Sequence, residues 1–398
     1  MTETSDMIVF WIVVLARFLI PLTIPRYPLP GVLVSLVLDA IDQTIFQQFT
    51  NLNLDGYQGY DKALDIYYLT IAYISTLRNW TNQFAFRISQ FLYYYRMIGV
   101  TLFELSYSGT GPRYLLLLFP NTFEYFFIFY ESVRLRWNPV KMPRYFTIGA
   151  MWAIWVFIKI PQETWIHIAQ MDMTDFIKED ILGISKDAGL SEIVAAINWP
   201  LLIVVIILLV VAIVLLFRWL AKRTPPTDHT WAVKADPIPD HVEKEMERMK
   251  HDPEPFFSWA LVEKIIMVSL ISIIFAQVLP DVRATNLELA VGVAFVIAIN
   301  TLVSHWFARR GTEWTSIIRQ FIVMAVINFG SVLLYSFLLP AVDEAGSINL
   351  GNTLFFVLLL TLLVVLFDRY RAVYVARFAA GDSGNDGEQS EETAVAAA

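Results

Sequence analysis

Asp39, Asp42, Asp65, Glu104, Glu124 and Glu131 lie within or at the edge of runs hydrophobic enough to enter a bilayer, together with the bases Arg87, Arg96 and Lys159. A charge at bilayer depth costs roughly 3 kcal/mol on insertion scales, so it needs a partner or a task. Arg87 and Arg96 cannot neutralise that set of acids. An interior of this composition is electronegative, and it attracts cations or protons or holds a metal. Carboxylates placed close together in a low dielectric also exchange protons nearer neutral pH than isolated ones do.

Two spacings point to metal chemistry as the alternative. Asp39-Ala40-Ile41-Asp42 and Asp61-Lys62-Ala63-Leu64-Asp65 each set two acids about one helical turn apart. Such pairs can share a hard divalent cation, which in turn could hold a diphosphate with Arg78 or Arg87 on its oxygens. They are similar in kind to the aspartate-rich motifs of intramembrane prenyltransferases. That family separates its two motifs widely and has a fuller Asn-Asp-x-x-Asp pattern, whereas both pairs here fall within residues 39–65 and the pattern is absent, so the chain is not assigned to it. There is no Walker A loop, HExxH, GxSxG elbow or potassium-filter sequence. The absence of cysteine removes thiolate nucleophiles and thiolate metal sites.

On helices, the polar positions gather on faces. Ser35, Asp39, Asp42 and Gln43 form one stripe, and Asp61, Asp65, Tyr68, Ser75 and Asn79 a second. Arg87, Gln90, Tyr94 and Thr101 align, with Glu104 at the margin and Arg96 opposite; Asn121, Glu124, Tyr125, Glu131 and Ser132 share a fourth face. Four striped helices imply a common polar interior, because none of these faces is stable against lipid. The bland account pairs the charges as structural glue, for instance Arg96 or Arg87 with Glu104 or Glu124. Lys159, near the end of its run, is expected to snorkel to the interface, and His167, one turn past Glu163, to join a proton path at most.

The elements that position these residues are membrane helices. The 398-residue chain is 57% hydrophobic and 15% aromatic, with a mean hydropathy of +0.54, against about 45–50% apolar residues in soluble domains. Apolar windows give an all-α polytopic integral membrane protein with about eleven helices, or ten, near 7–24, 31–48, 62–79, 84–105, 114–133, 145–161, 199–221, 257–279, 287–307, 316–339 and 351–368. Residues 31–48 span the membrane or re-enter it. With eleven crossings, Arg134, Arg136, Lys141, Arg144, Arg218, Lys222, Arg223, Arg309, Arg310, Arg369, Arg371 and Arg377 fall on one side, which puts the N-terminus outside and the C-terminus in the cytoplasm.

The organisation expected is a polar-lined bundle over 1–221, with an outer interfacial loop at 161–198, and a proline-rich cytoplasmic linker over 222–256 that carries one short helix. An apolar four-helix module over 257–378 follows, able to pack or oligomerise and cross-linked through Asn300 and Asn328, and then a disordered acidic tail over 379–398. The leading expectation for function is a transporter or channel of the cell membrane with an acidic cation or proton path at Asp39, Asp42, Asp65, Arg87, Arg96, Glu104, Glu124 and Glu131. The alternative is an intramembrane enzyme acting on a lipid or isoprenoid phosphate, with a divalent cation held by Asp39, Asp42, Asp61 and Asp65. A further alternative is a non-catalytic subunit of a membrane complex. The net charge of −8 owes much to tail and loops, and no soluble segment shows a basic patch that would suit nucleic acid.

Overall fold

The computed structural model describes residues 3–51, 57–106, 112–169, 176–223, 233–251, 256–279, 285–310, 316–338 and 350–396, and every regular element among them is helical. Helices α1 (Glu3–Leu19), α2 (Pro28–Phe49), α3 (Tyr57–Asn79) and α4 (Gln83–Leu105) open the chain. The turn between α1 and α2 is tight: a Cβ on Gly31 would sit 2.9 Å from the Ile24 Cα. Pro28, at the first turn of α2, lacks only an N–H that a helix start leaves unused. Helix α2 then runs unbroken for 22 residues, about 33 Å at 1.5 Å per residue. The Asn51 N–H at its far end donates to Asp6 Oδ2 at 3.2 Å, so residues 31–48 belong to a helix antiparallel to α1.

The run at 114–133 is not one helix. It divides into α5 (Tyr114–Leu118) and α6 (Thr122–Arg134). Pro120 has no N–H to give the ladder and pushes Phe119 off helical geometry, to φ −112° and ψ 65°. The next helix, α7 (Arg144–Ala153), winds on through a π stretch at Ile154–Lys159, α8 (Ile160–Glu163) and a second π stretch at Thr164–Ile168. Pro161 cannot donate to Phe157, and the wider turns accommodate that missing bond. A short π-helical turn (Ile177–Ile181) and α9 (Leu190–Ala196) occupy the expected outer loop.

Helix α10 (Trp199–Arg223) has no buried residue across its apolar window. Helix α11 (Asp240–His251) is the helix expected in the linker, followed by α12 (Trp259–Val278), α13 (Asn286–Arg309), α14 (Ile317–Leu338) and α15 (Leu350–Ala396). Helix α15 continues to Ala396, through the tail expected to be disordered.

Helix α3 is the hub. It packs against α1, α2, α4 and α6 from the first half and against α12 and α15 from the second. One hydrophobic core therefore runs from Ile66, Tyr67 and Tyr73 through Phe86 and Phe123 to Ile271, Leu363 and Phe367. The last four long helices close on themselves, α12 with α13, α13 with α14, and α14 and α12 with α15. Asn300, Asn328 and Thr361 link three of them, with Nδ2 of Asn300 donating to Asn328 Oδ1 at 3.1 Å and Nδ2 of Asn328 to Thr361 Oγ1 at 2.9 Å.

The linker is docked. Ala235 N–H donates to Arg26 O at 2.8 Å, and Val242 of α11 is buried against Val373 and Ala376 of α15. Arg78, Arg134 and Arg377 gather at this end of the bundle: Arg377 donates to the carbonyls of Trp80 and Arg78, and Arg134 pairs with Asp236 at 3.2 Å. Seven of the described helices are long and apolar enough to cross a membrane: α1, α2, α10, α12, α13, α14 and the first part of α15. This is a helical membrane protein. Helices α3 and α4, each 23 residues long, are more polar and lie among the others.

Candidate functional site

The acids of α2 and α3 converge on one guanidinium that the sequence reading passed over. Arg17 of α1 is 4% exposed. Its Nη2 lies 2.5 Å from Asp39 Oδ1 and 3.3 Å from Asp65 Oδ1, and its Nη1 lies 3.3 Å from Asp61 Oδ1 and against Asp42 Oδ2. Asp39 and Asp42 share a face of α2, and Asp61 and Asp65 a face of α3, so three helices build the centre from the one-turn spacings in the sequence. One cation faces four carboxylates. Lys62 adds a second base within electrostatic reach of Asp61, Asp65 and Glu104, so acids still outnumber bases in the centre. The signal for Arg17 was present: a lone arginine deep in the run 7–24 has the same unfavourable burial as the acids.

Tyr68, one turn beyond Asp65, connects this centre to a second. It lines a cleft with Arg17, Ile20, Pro21, Ser35 and Leu38, and its hydroxyl donates to Glu124 Oε1. Glu124 is 4% exposed and takes a bond at 2.8 Å from Asn121 Nδ2. The Asn121 N–H, at the start of α6, donates to Glu163 Oε1 at 3.2 Å. Glu163 also holds Lys159 at 3.3 Å and His167 at 3.0 Å, all three on one face. Glu163 lies beyond the apolar run 145–161. Arg96 also lies within electrostatic reach of its carboxylate. Lys159 does not snorkel. It is buried, bonded to Gln162 Oε1 at 2.8 Å and placed 4.7 Å from the Tyr125 ring centroid.

The other expected residues are placed differently. Arg96 is buried and donates to Phe119 O at 3.0 Å, closing the end of α5 at the break rather than bonding directly to Glu104 or Glu124. Arg87 is exposed and reaches Gln90 at 3.3 Å. Glu104 is buried near Lys62. Glu131 sits at the basic end, bonded to Trp80 Nε1 at 2.9 Å and Arg134 Nε at 2.7 Å. Ser75 and Asn79 turn to the carbonyls of Ala72 and Pro25 and take no part in the Arg17 centre.

A further polar centre joins the two halves. Glu263 of α12 accepts from Tyr73 and, at 2.8 Å, from Gln90 Nε2, and lies 3.3 Å from Arg371. Its neighbour Lys264 pairs with Asp368 at 2.6 Å. Adjacent charges on α12 thus face charges one turn apart on α15, a pairing across more than a hundred positions that no local spacing announces.

For a metal, the geometry selects Asp39, Asp61 and Asp65, whose oxygens lie within 4.8 Å of one another. Asp42, expected as a fourth ligand, is outside that group. An ion there would have to displace Arg17 from the same oxygens. Fold and site together define a helical membrane protein with a buried, acid-rich charge centre among its first helices. Compared with known protein families, with characterised proteins and with solved structures, the chain matches none.

Proposed function

We propose that the protein moves a cation or a proton across a cell membrane, as a transporter or channel, with the Arg17 centre as the place where the moving charge is held. The observation that carries this is the four-to-one convergence of Asp39, Asp42, Asp61 and Asp65 on Arg17. A purely structural ion pair needs one carboxylate, and surplus buried acids cost folding energy unless they serve a charge that comes and goes. Helices α3 and α4, the broken α5–α6 pair and the α7–α8 helix join the seven apolar helices to make eleven passages, with the N-terminus outside and the arginine-rich end in the cytoplasm.

The test is flux of H⁺, Na⁺ and K⁺ in proteoliposomes of the full chain, with Asp39→Asn and Asp65→Asn as variants. Loss of one cation's flux with retained thermal stability is the expected result; wild-type protein that moves none of the three overturns the reading. The acid triplet favours one second reading, a divalent-metal enzyme acting on a lipid phosphate. It predicts stabilisation by Mg²⁺ or Mn²⁺ that Asp61→Asn and Asp65→Asn remove.

A further inference from the structure

We propose that Glu124 is a proton-binding site of this protein and that Tyr68 transmits its protonation to the Arg17 centre. The inference rests on the reading of the first helices as an ion path, and it names the ion and the coupling residue.

Glu124 has the surroundings of a group that must choose between two protonation states. Its Oε1 takes the Tyr68 hydroxyl and its Oε2 the Asn121 amide, and both donors favour the ionised form. The charged and titratable groups facing it are Lys159 from the π stretch after α7, Tyr68 and Asp65 from α3, and Arg96 from α4. Tyr125 and Glu163 lie beside these. Helix α2 also packs on α6, and its acids, Asp39 and Asp42, are both held by Arg17. The chain is interrupted here by Pro120, and the buried Asn121 Oδ1 and Thr122 Oγ1 have no hydrogen-bond partner among the described residues. Irregular backbone at membrane depth belongs where it lines a polar path.

Tyr68 turns that choice into a signal. While Glu124 is ionised, the phenol proton is committed to Oε1. When Oε1 gains a proton, the bond reverses: the carboxyl O–H donates to the Tyr68 oxygen, and the phenol O–H rotates about its C–O bond to its other in-plane orientation. Tyr68 also lines the cleft that holds Arg17 and Ser35, so the freed phenol proton is offered to acceptors there. Ser35 Oγ has already given its own proton to Gly31 O at 2.8 Å and presents an acceptor there, and Asp39 and Asp65 lie within electrostatic reach of the phenol. One proton bound at Glu124 thus frees one hydrogen-bond donor beside the Arg17 centre, with no net transfer through the phenol.

Infrared titration of the full chain in lipid tests this directly, followed by the C=O stretch of a protonated buried carboxyl and by pyranine-reported proton uptake in proteoliposomes. A carboxyl band that titrates and is lost in Glu124→Gln is expected. In Tyr68→Phe the midpoint should rise by about one to two pH units, because the ionised form loses a charge-assisted bond, and proton uptake should fall at least tenfold. Tyr68→Phe reads the midpoint with Glu124 intact, so the outcome stands if Glu124→Gln fails to fold. A Glu124 band that does not titrate, alongside uptake abolished by Asp65→Asn, overturns the inference and keeps the ion-path reading. A titrating band in a protein that takes up no protons does the reverse. An unshifted midpoint in Tyr68→Phe removes Tyr68 from the coupling.

Discussion

Replacing Arg17 by glutamine strips the counter-charge from four carboxylates at once. Asp42 has a fully buried side chain, whereas those of Asp39, Asp65 and Asp61 are 22%, 21% and 28% exposed. Removing one partner of a buried ion pair costs about 3–5 kcal/mol, because the other charge stays behind without compensation. Arg17→Gln should therefore destabilise the protein by at least that amount, chiefly through Asp42. Asp61→Asn changes the most exposed acid of the cluster, whose 3.3 Å contact is as long as that of Asp65, and should change stability by no more than about 1 kcal/mol in either direction. The double variant Arg17→Gln/Asp42→Asn should recover part of the loss, with a coupling energy near the top of the usual range of about 0.5–3 kcal/mol. Denaturant unfolding of all four proteins in one lipid–detergent mixture measures these differences. If Arg17→Gln lies within about 1 kcal/mol of wild type, or Asp61→Asn is the more damaging change, the centre is not held together by that guanidinium.

Three further outcomes follow from particular contacts. A Cβ at Gly99 would lie 2.1 Å from the Phe119 Cβ, so Gly99→Ala should cost about 1–3 kcal/mol and shift the α5–α6 break, read as a change in amide-exchange protection at residues 119–122. Asn328→Ala leaves Asn300 and Thr361 without their shared partner in a buried site and should cost about 1–3 kcal/mol on the same unfolding assay; a cost under about 0.5 kcal/mol would mean the bridge is dispensable. Glu163→Gln leaves the buried Lys159 ammonium without its carboxylate partner and should cost about 3–5 kcal/mol on the same assay. A cost under about 1 kcal/mol would mean that Lys159 does not depend on that carboxylate.

What was legible in the sequence is what local physics controls. One-turn spacings put Asp39 with Asp42 and Asp61 with Asp65 on helix faces, and those faces do meet. The short linker helix and the Asn300–Asn328 bridge follow from equally local features: a charged stretch set off by prolines, and polar residues in otherwise apolar runs. Arg17 was overlooked because a run as apolar as 7–24 absorbs one charge without losing its hydrophobic average. The break at Pro120 was hidden by the same averaging, although the proline itself signals it. The Glu263 and Lys264 pairings were out of reach for a different reason: their partners lie on α15, and a single sequence does not say which helices are neighbours. Lys159 shows that depth along a helix is not exposure, since a base near the end of a run was drawn inward by Glu163.

The central position of α3 also sets a schedule for assembly. Its side chains are too polar to be at ease in lipid, yet Tyr73 finds Glu263 only 190 positions later, and the carbonyl of Trp80 waits 297 positions for Arg377. At about 5–20 residues per second, those partners leave the ribosome on the order of ten seconds to a minute after α3 itself. The helix at the heart of the finished protein is thus among the first to be made and among the last to be enclosed. Until α12 and α15 arrive, it depends on α1, α2, α4, α6 and whatever the insertion machinery lends it.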